Sequence, residues 1–261
     1  MSQVALEIEG VSKVFKKNDT REDFLSLKDV SIHINDHEFV SLLGPSGCGK
    51  STLLKIISGL LKADSGFVYL DGEQIKKPGR DRGMVFQEYA LFPWMTVEKN
   101  IALGLELKKE KKNKISEKVK WAVDLVGLRG FEKNYPHQLS GGMKQRVAIA
   151  RVLVMESKVL LMDEPFGALD AFTRMNLQDD LIRLWQKHKF TTVFVTHDVD
   201  EAIYLSDKIV VMTASPGEVK EIIDVNMSRP RIRVSDDFTA IRNHVLQQYG
   251  YRDDRVVDYN I

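Results

Sequence analysis

Gly44, Pro45, Ser46, Gly47, Cys48, Gly49, Lys50 and Ser51 follow one another without a break, and their types and spacing suit the binding of phosphate. Glycines let the backbone turn tightly enough to aim several N–H groups at one point. The pattern G-x-x-x-x-G-K-[ST] ends in a lysine and a hydroxyl, so Lys50 would reach β- and γ-phosphates and Ser51 would meet Mg²⁺. The flanks agree with this. Glu38-Phe39-Val40-Ser41-Leu42-Leu43 reads as a buried strand, and Ser51-Thr52-Leu53-Leu54-Lys55-Ile56-Ile57 as an amphipathic helix. The loop therefore opens a helix whose N-terminus adds partial positive charge.

A second group complements the first. Val159-Leu160-Leu161-Met162-Asp163-Glu164 is an apolar strand ending in two carboxylates. Adjacent side chains on a strand point to opposite faces, so the two acids cannot share one task. In phosphate-loop proteins the first such carboxylate helps to hold Mg²⁺, which falls to Asp163. Glu164 is then placed to polarise the water that attacks the γ-phosphate.

Three regions must position these groups. Residues 4–85 carry short alternating runs, Val4–Ile8, Phe24–Ile34, Phe39–Leu43 and Phe67–Leu70, separated by turn pairs such as Asn35-Asp36 and Asp71-Gly72. They read as a β-rich layer around the phosphate loop and its helix. Residues 97–155 are helical by pattern, with the charge run Lys108–Lys114 as a solvated helix end or loop. Residues 158–226 alternate strands with helices. Val159–Met162 and Thr192–Val195 are continuous apolar runs of the kind that parallel sheets bury on both faces, and Thr173–Lys189 has helical spacing between them. Residues 228–261 are polar, with a helix expected near Asp237–Tyr249.

At 261 residues the chain can bury a full core. Lys and Arg number 38 against 37 Asp and Glu, a balance that argues against nucleic acid as a partner. The single cysteine, Cys48, excludes an internal disulfide framework and suits a reducing compartment. No basic-then-apolar leader is visible at the N-terminus, and no stretch approaches the ~20 apolar residues that span a bilayer. Cys48 lies beside Lys50 and a helix start, so thiol reagents are expected to modify it and ATP to protect it.

Leu139-Ser140-Gly141-Gly142-Met143-Lys144-Gln145-Arg146, shortly before the Asp163-Glu164 strand, resembles the signature motif of ATP-binding cassette (ABC) ATPases. Ser-Gly-Gly opening a helix is itself an anion site. The resemblance implies an α/β fold, a phosphate-loop NTPase core with an antiparallel β subdomain and an α-helical signature-motif subdomain. It implies an ATPase domain over 1–230, its helical part about 88–155, and a short C-terminal helical tail over 231–261. ATP and Mg²⁺ would be the ligands. Gly44 to Ser51, with Thr52, would hold the phosphates and Phe15 would stack on adenine. Ser51, Gln87 and Asp163 would meet the metal; Glu164, His197 and Gln87 would be catalytic. Ser140, Gly141 and Gly142 of one protomer would close over the nucleotide of another, in a homodimer or with a related cassette, and Asp170 of Ala168-Leu169-Asp170 would cross that interface.

One finer feature narrows the kind of cassette. Tyr89-Ala90-Leu91-Phe92-Pro93-Trp94-Met95-Thr96-Val97, just after Gln87, is similar to the nitrate/sulfonate/taurine importer group, and Ser228-Arg229-Pro230-Arg231 fits it as well. That resemblance implies an ATP-hydrolysing motor bound to the cytoplasmic face of the inner membrane. Its partners would be separate integral membrane permease subunits and, indirectly, an extracytoplasmic substrate-binding protein. Phe92 and Trp94 would wall a groove for a permease helix, or else pack in an ordinary loop. The alternatives are a soluble cassette of nucleic-acid processing or translation, or an exporter motor.

Overall fold

A computed structural model describes residues 4–16, 23–188 and 190–249. Residues 1–3, Lys189 at the end of the expected Thr173–Lys189 helix, and the 250–261 part of the expected tail lie outside the described residues. In chain order the elements are β1 (Val4–Lys16), β2 (Asp23–Asn35), β3 (Phe39–Leu43), α1 (Lys50–Ser58), β4 (Ser65–Leu70), β5 (Glu73–Gln74) and β6 (Arg82–Val85). Then come α2 (Val97–Leu107), α3 (Lys112–Leu125), α4 (Gly141–Leu153), β7 (Val159–Asp163) and α5 (Ala171–His188). The last are β8 (Thr191–Thr196), α6 (Val199–Leu205), β9 (Lys208–Met212), β10 (Val219–Asp224) and α7 (Asp236–Gln248).

Two sheets sandwich α1. One is antiparallel, in the order β2-β1-β4-β5; the other runs β10-β9-β3-β8-β7-β6, parallel except for the edge strand β10. The alternating strand β1 turns Leu6, Ile8 and Val11 inward, where they pack with Leu53, Leu54 and Ile57 of α1 and with Val40 and Val195 of the parallel sheet. Strands β3, β7 and β8 are buried at every position, as continuous apolar runs in a doubly covered parallel sheet require. Their other face packs against α4 and α5 through Ala148, Val152, Leu181 and Trp185.

Helices α2, α3 and α4 share a smaller core of their own, built on Ile101, Leu105, Ala122 and Val147. The basic run beginning at Lys108 forms the α2–α3 junction. After β10 the chain returns across the core. Arg231, buried, donates to the carbonyls of Ile203, Ser206 and Val225, and Arg229 bonds Asp207 while lying over the Trp185 ring at 4.6 Å. Helix α7 then seats Phe238 and Val245, both fully buried, against α6.

Candidate functional site

The parallel sheet brings the sequence-distant groups together. In spatial order β3, β8, β7 and β6 are neighbours, and their C-terminal ends carry the phosphate loop, His197, Asp163 with Glu164, and Gln87. Ligands of open α/β sheets bind at this edge.

The loop leaves β3 at Gly44 and enters α1 at Lys50. Gly47 and Gly49 have φ of 81° and 95°, a region that side chains rarely adopt. Gly49 has no room for one either, since a Cβ there would meet the Ser26 carbonyl at 2.8 Å. With Gly49 as its N-cap and no side-chain cap bond, α1 leaves first-turn N–H groups without intrahelical acceptors, the electrostatic basis of an anion cradle. Lys50 is 4% exposed, and its Nζ donates to the carbonyls of Gly44 at 2.7 Å and Pro45 at 2.9 Å. The ammonium is thus held over the loop.

Ser51 Oγ donates to Asp163 Oδ1 at 2.7 Å. Burial holds the Asp163 carboxyl above the ordinary carboxylate range, against the Ser51 hydrogen bond and with the Glu164 charge adding to the rise. A buried carboxylate beside a hydroxyl is a hard-oxygen pair that gains from a cation. Gln87 and Asp163 line one cleft of about 760 Å³ with Lys55 and Lys144. Among the described residues no cluster of three His, Cys, Asp or Glu could cage a metal. A divalent ion here would therefore take its remaining oxygens from phosphate and water.

Glu164 lies one residue beyond the end of β7, so a turn and not strand alternation aims its side chain. Its Oε2 lies 3.2 Å from His197 Nδ1. Its φ of 43° is uncommon for a residue with a side chain. The backbone is tied there by Glu164 N–H donating to the Val195 carbonyl at 3.0 Å and by Gly167 N–H donating to the Glu164 carbonyl at 3.2 Å. The His197 turn is braced by buried Glu201, which accepts from Thr196 at 2.6 Å and from Gln178 at 3.0 Å.

Other expected residues lie apart from this edge. Ser140 caps α4, accepting from Met143 N–H at 3.3 Å. Gly142 lies so close to α5 that a Cβ would meet Thr173 Cγ2 at 2.7 Å. Asp170 caps α5 through Thr173 N–H at 3.0 Å, which with the Thr173 hydroxyl holds its carboxyl below the ordinary range. Among the described residues no hydrogen bond joins Ser140, Gly141, Gly142 or Asp170 to the phosphate loop. Phe15 is 39% exposed on β1 with Lys13 over its ring at 5.7 Å. Thr52 points from α1 toward Ser26, Oγ to Oγ 3.4 Å.

One expectation is corrected. Cys48 is 1% exposed and belongs to the core cluster with Leu27 and Met212, so the folded loop shields the thiol that its sequence setting marked as reactive. Two anchors escaped the sequence reading. Asn100, fully buried on α2, accepts from Phe92 N–H at 2.8 Å and donates to the carbonyls of Phe92, Met95 and Thr96. Arg151 of α4 donates to the carbonyl of Ala90 at 2.7 Å. Between them they pin the segment after Gln87, on which Trp94 is 68% exposed and meets Phe92 with ring centroids 5.5 Å apart and planes tilted by 60°.

Known proteins resemble this chain over most of its length. The family model described as ABC transporter matches residues 27–167. An uncharacterized ABC transporter ATP-binding protein of Methanocaldococcus jannaschii is 52% identical over 94% of this chain and 91% of its own length. The aliphatic sulfonates import ATP-binding protein SsuB of Bacillus cereus is 51% identical over 94% of this chain and 96% of its own. The nitrate import ATP-binding protein NrtC of Synechococcus elongatus is 49% identical over 93% of this chain, which spans 38% of that longer protein. A bacterial ABC transporter cassette solved as a dimer superposes with a TM-score of 0.76 at 33% identity, covering 85% of this chain and all of that one. The same cassette has been solved in a post-hydrolysis state with ADP and Pi. This chain belongs to the ABC transporter family, as an ATP-binding ATPase cassette. No helix among the described residues is long and apolar enough to cross a membrane.

Proposed function

We propose that this chain is the motor of an importer for nitrate, a sulfonate, taurine or a similar small solute, acting as a head-to-tail dimer beneath separate permease subunits. The observation that carries this reading is an aromatic pair, half-buried Phe92 and exposed Trp94, joined through Asn100 and Arg151 to the segment that leads from Gln87. The similarity to SsuB and NrtC supports the solute class. Among the described residues no hydrogen bond joins the Ser140 end of α4 to the phosphate loop, which supports a second copy or a related cassette as the partner that closes the site. An extracytoplasmic binding protein would act through the permease, and the chain would lie on the cytoplasmic face of the membrane.

On this reading the residues divide the work as follows. Lys50 would exchange its bonds to the loop carbonyls for bonds to β- and γ-phosphate oxygens, and the N–H groups of Gly47 to Thr52 would take the rest. Ser51, Asp163 and Gln87 would hold Mg²⁺, whose charge offsets that of the phosphates. Glu164 would accept the proton of the water whose oxygen attacks the γ-phosphorus, as the bond to the β–γ bridging oxygen breaks and ADP leaves. His197 would orient Glu164 and bond the γ-phosphate. Phe15 would supply the adenine platform. Ser140, Gly141 and Gly142 of the opposing protomer would complete the anion site, with Asp170 at the junction.

The test is reconstitution. The chain, co-expressed with the permease genes beside its own, should co-purify with their products and drive ATP-dependent uptake of nitrate, taurine or an alkanesulfonate into vesicles. ATP hydrolysis with no membrane partner and no uptake of any of these would refute the importer reading.

A further inference from the structure

The phosphate loop is gripped from behind by a turn that no motif includes. Between β9 and β10 the chain passes through Ser215, Pro216 and Gly217, some 168 residues beyond the loop. Ser215 Oγ donates to the Gly47 carbonyl at 3.1 Å. Gly217 is buried against Cys48, so closely that a Cβ would come within 2.0 Å of the Cys48 carbonyl. The turn is itself stitched to β2, with Gly217 N–H donating to the Ser26 carbonyl at 2.9 Å and Lys28 N–H donating to the Gly217 carbonyl at 3.0 Å. From the far side β2 closes on the loop through Leu27 and Ser26, which crowd Gly49. Gly44 meets the same hairpin at Met212, whose Cβ lies 3.2 Å from where a Gly44 Cβ would be.

We propose that the β9–β10 turn is a positioning element for nucleotide binding, with Ser215 and Gly217 clamping the loop against β2 in its phosphate-binding shape. This rests on the reading of Gly44–Thr52 as the nucleotide cradle. The physical reason is preorganisation. A loop of glycines has many conformations, and fixing it before the ligand arrives removes an ordering cost from binding. Gly217 itself has no left-handed φ, so a methyl there costs a collision with the Cys48 carbonyl and no backbone strain.

Cys48 is the chain's single cysteine and serves as a built-in reporter of loop closure. In the unaltered chain a thiol reagent should modify it slowly, because it is buried. Gly217→Ala should raise that labelling rate about tenfold and weaken Mg·ATP binding about tenfold. Its kcat at saturating ATP should stay within about twofold, because Glu164 and His197, just beyond the ends of β7 and β8, are untouched. Ser215→Ala should weaken binding about threefold, as one exposed hydrogen bond allows, and Ser215→Thr should restore it. Circular dichroism and melting curves identify which variants are folded. A folded Gly217→Ala that protects Cys48 and binds ATP like the unaltered chain overturns the clamp. If Gly217→Ala does not fold, Ser215→Ala decides: unchanged labelling and unchanged affinity overturn it. Failure of the unaltered chain to bind ATP would sink the cradle reading instead, leaving the labelling rates to judge the clamp.

Discussion

Asp163 and Glu164 are adjacent, but burial and backbone conformation separate their chemistry. Asp163 is 7% exposed and takes a hydrogen bond from Ser51; its raised pKa means that the native state binds a proton more readily than the unfolded chain. Between the unfolded value near 3.8 and the raised one, this group's contribution to stability therefore grows as pH falls and is lost as pH rises. At neutral pH its charge is a cost in the absence of a cation. Asp163→Asn should accordingly raise the melting temperature of the nucleotide-free protein, by about 2–4 °C for each kcal/mol relieved. It should also abolish Mg²⁺-dependent ATP binding, and calorimetry with titration of Mg·ATP reads both effects. Glu164→Gln should retain ATP affinity and lose turnover by roughly 10²–10⁴-fold, the range for a positioned general base. Steady-state phosphate release near the unaltered rate would remove Glu164 from that role.

The segment after Gln87 is an element without regular secondary structure, so its shape depends on side chains. Asn100 gives it four hydrogen bonds from a fully buried position. Asn100→Ala should destabilise the protein by about 2–3 kcal/mol, since it leaves buried backbone groups unpaired. Chemical denaturation measures that loss. Trp94 is largely exposed and not core, so Phe92→Ala combined with Trp94→Ala should leave the basal ATPase of the isolated chain intact. If the pair anchors a permease helix, co-purification should weaken about thirtyfold, the effect of losing ~2 kcal/mol at an interface. Loss of basal activity in that variant would show that the two rings serve the fold instead.

At the scale of the whole molecule, among the described residues no hydrogen bond joins the groups at the sheet edge to the Ser140 end of α4, the arrangement expected if a second copy closes the site. Nucleotide should therefore control assembly. Glu164→Gln with Mg·ATP should migrate as a dimer in light scattering and return to monomer when Lys50→Ala is added, because the phosphate contacts are then lost. A species that stays monomeric at saturating ATP would refute closure by a second copy. The segment 229–231, which leads into α7, bears on the same scale by bonding the end of α6 and the turn after it to the stretch that follows β10. The Arg231 guanidinium, pushed down to about 10 chiefly by burial and also by Arg229, still carries its charge at neutral pH among five carbonyls. Arg231→Ala should cost about 3 kcal/mol by leaving those carbonyls unpaired, visible as a lower melting temperature.

What the sequence by itself determined is the chemistry that must be contiguous. A phosphate cradle needs neighbouring backbone N–H groups, and an apolar run ending in Asp163-Glu164 brings two carboxylates to one strand end, although the split between them came from the fold, where β7 stops at Asp163 and Glu164 turns with a φ of 43°. Both could be read as unbroken runs of residues. The strand pattern also foretold the buried sheet, because burial on both faces leaves continuous apolar runs. Only the tertiary structure decided how these runs meet and what holds them. Sheet order placed His197 against Glu164 across neighbouring strands. The burial of Cys48 reversed the expectation drawn from its neighbours. Arg151, Ser215 and Gly217 carry no motif, since each acts on backbone atoms far along the chain, and Asn100 carries none because its partners are backbone groups of an irregular segment. A hydrogen bond from Ser215 to a carbonyl at Gly47 depends on two loops arriving at one place, and local sequence cannot encode that arrival without the fold.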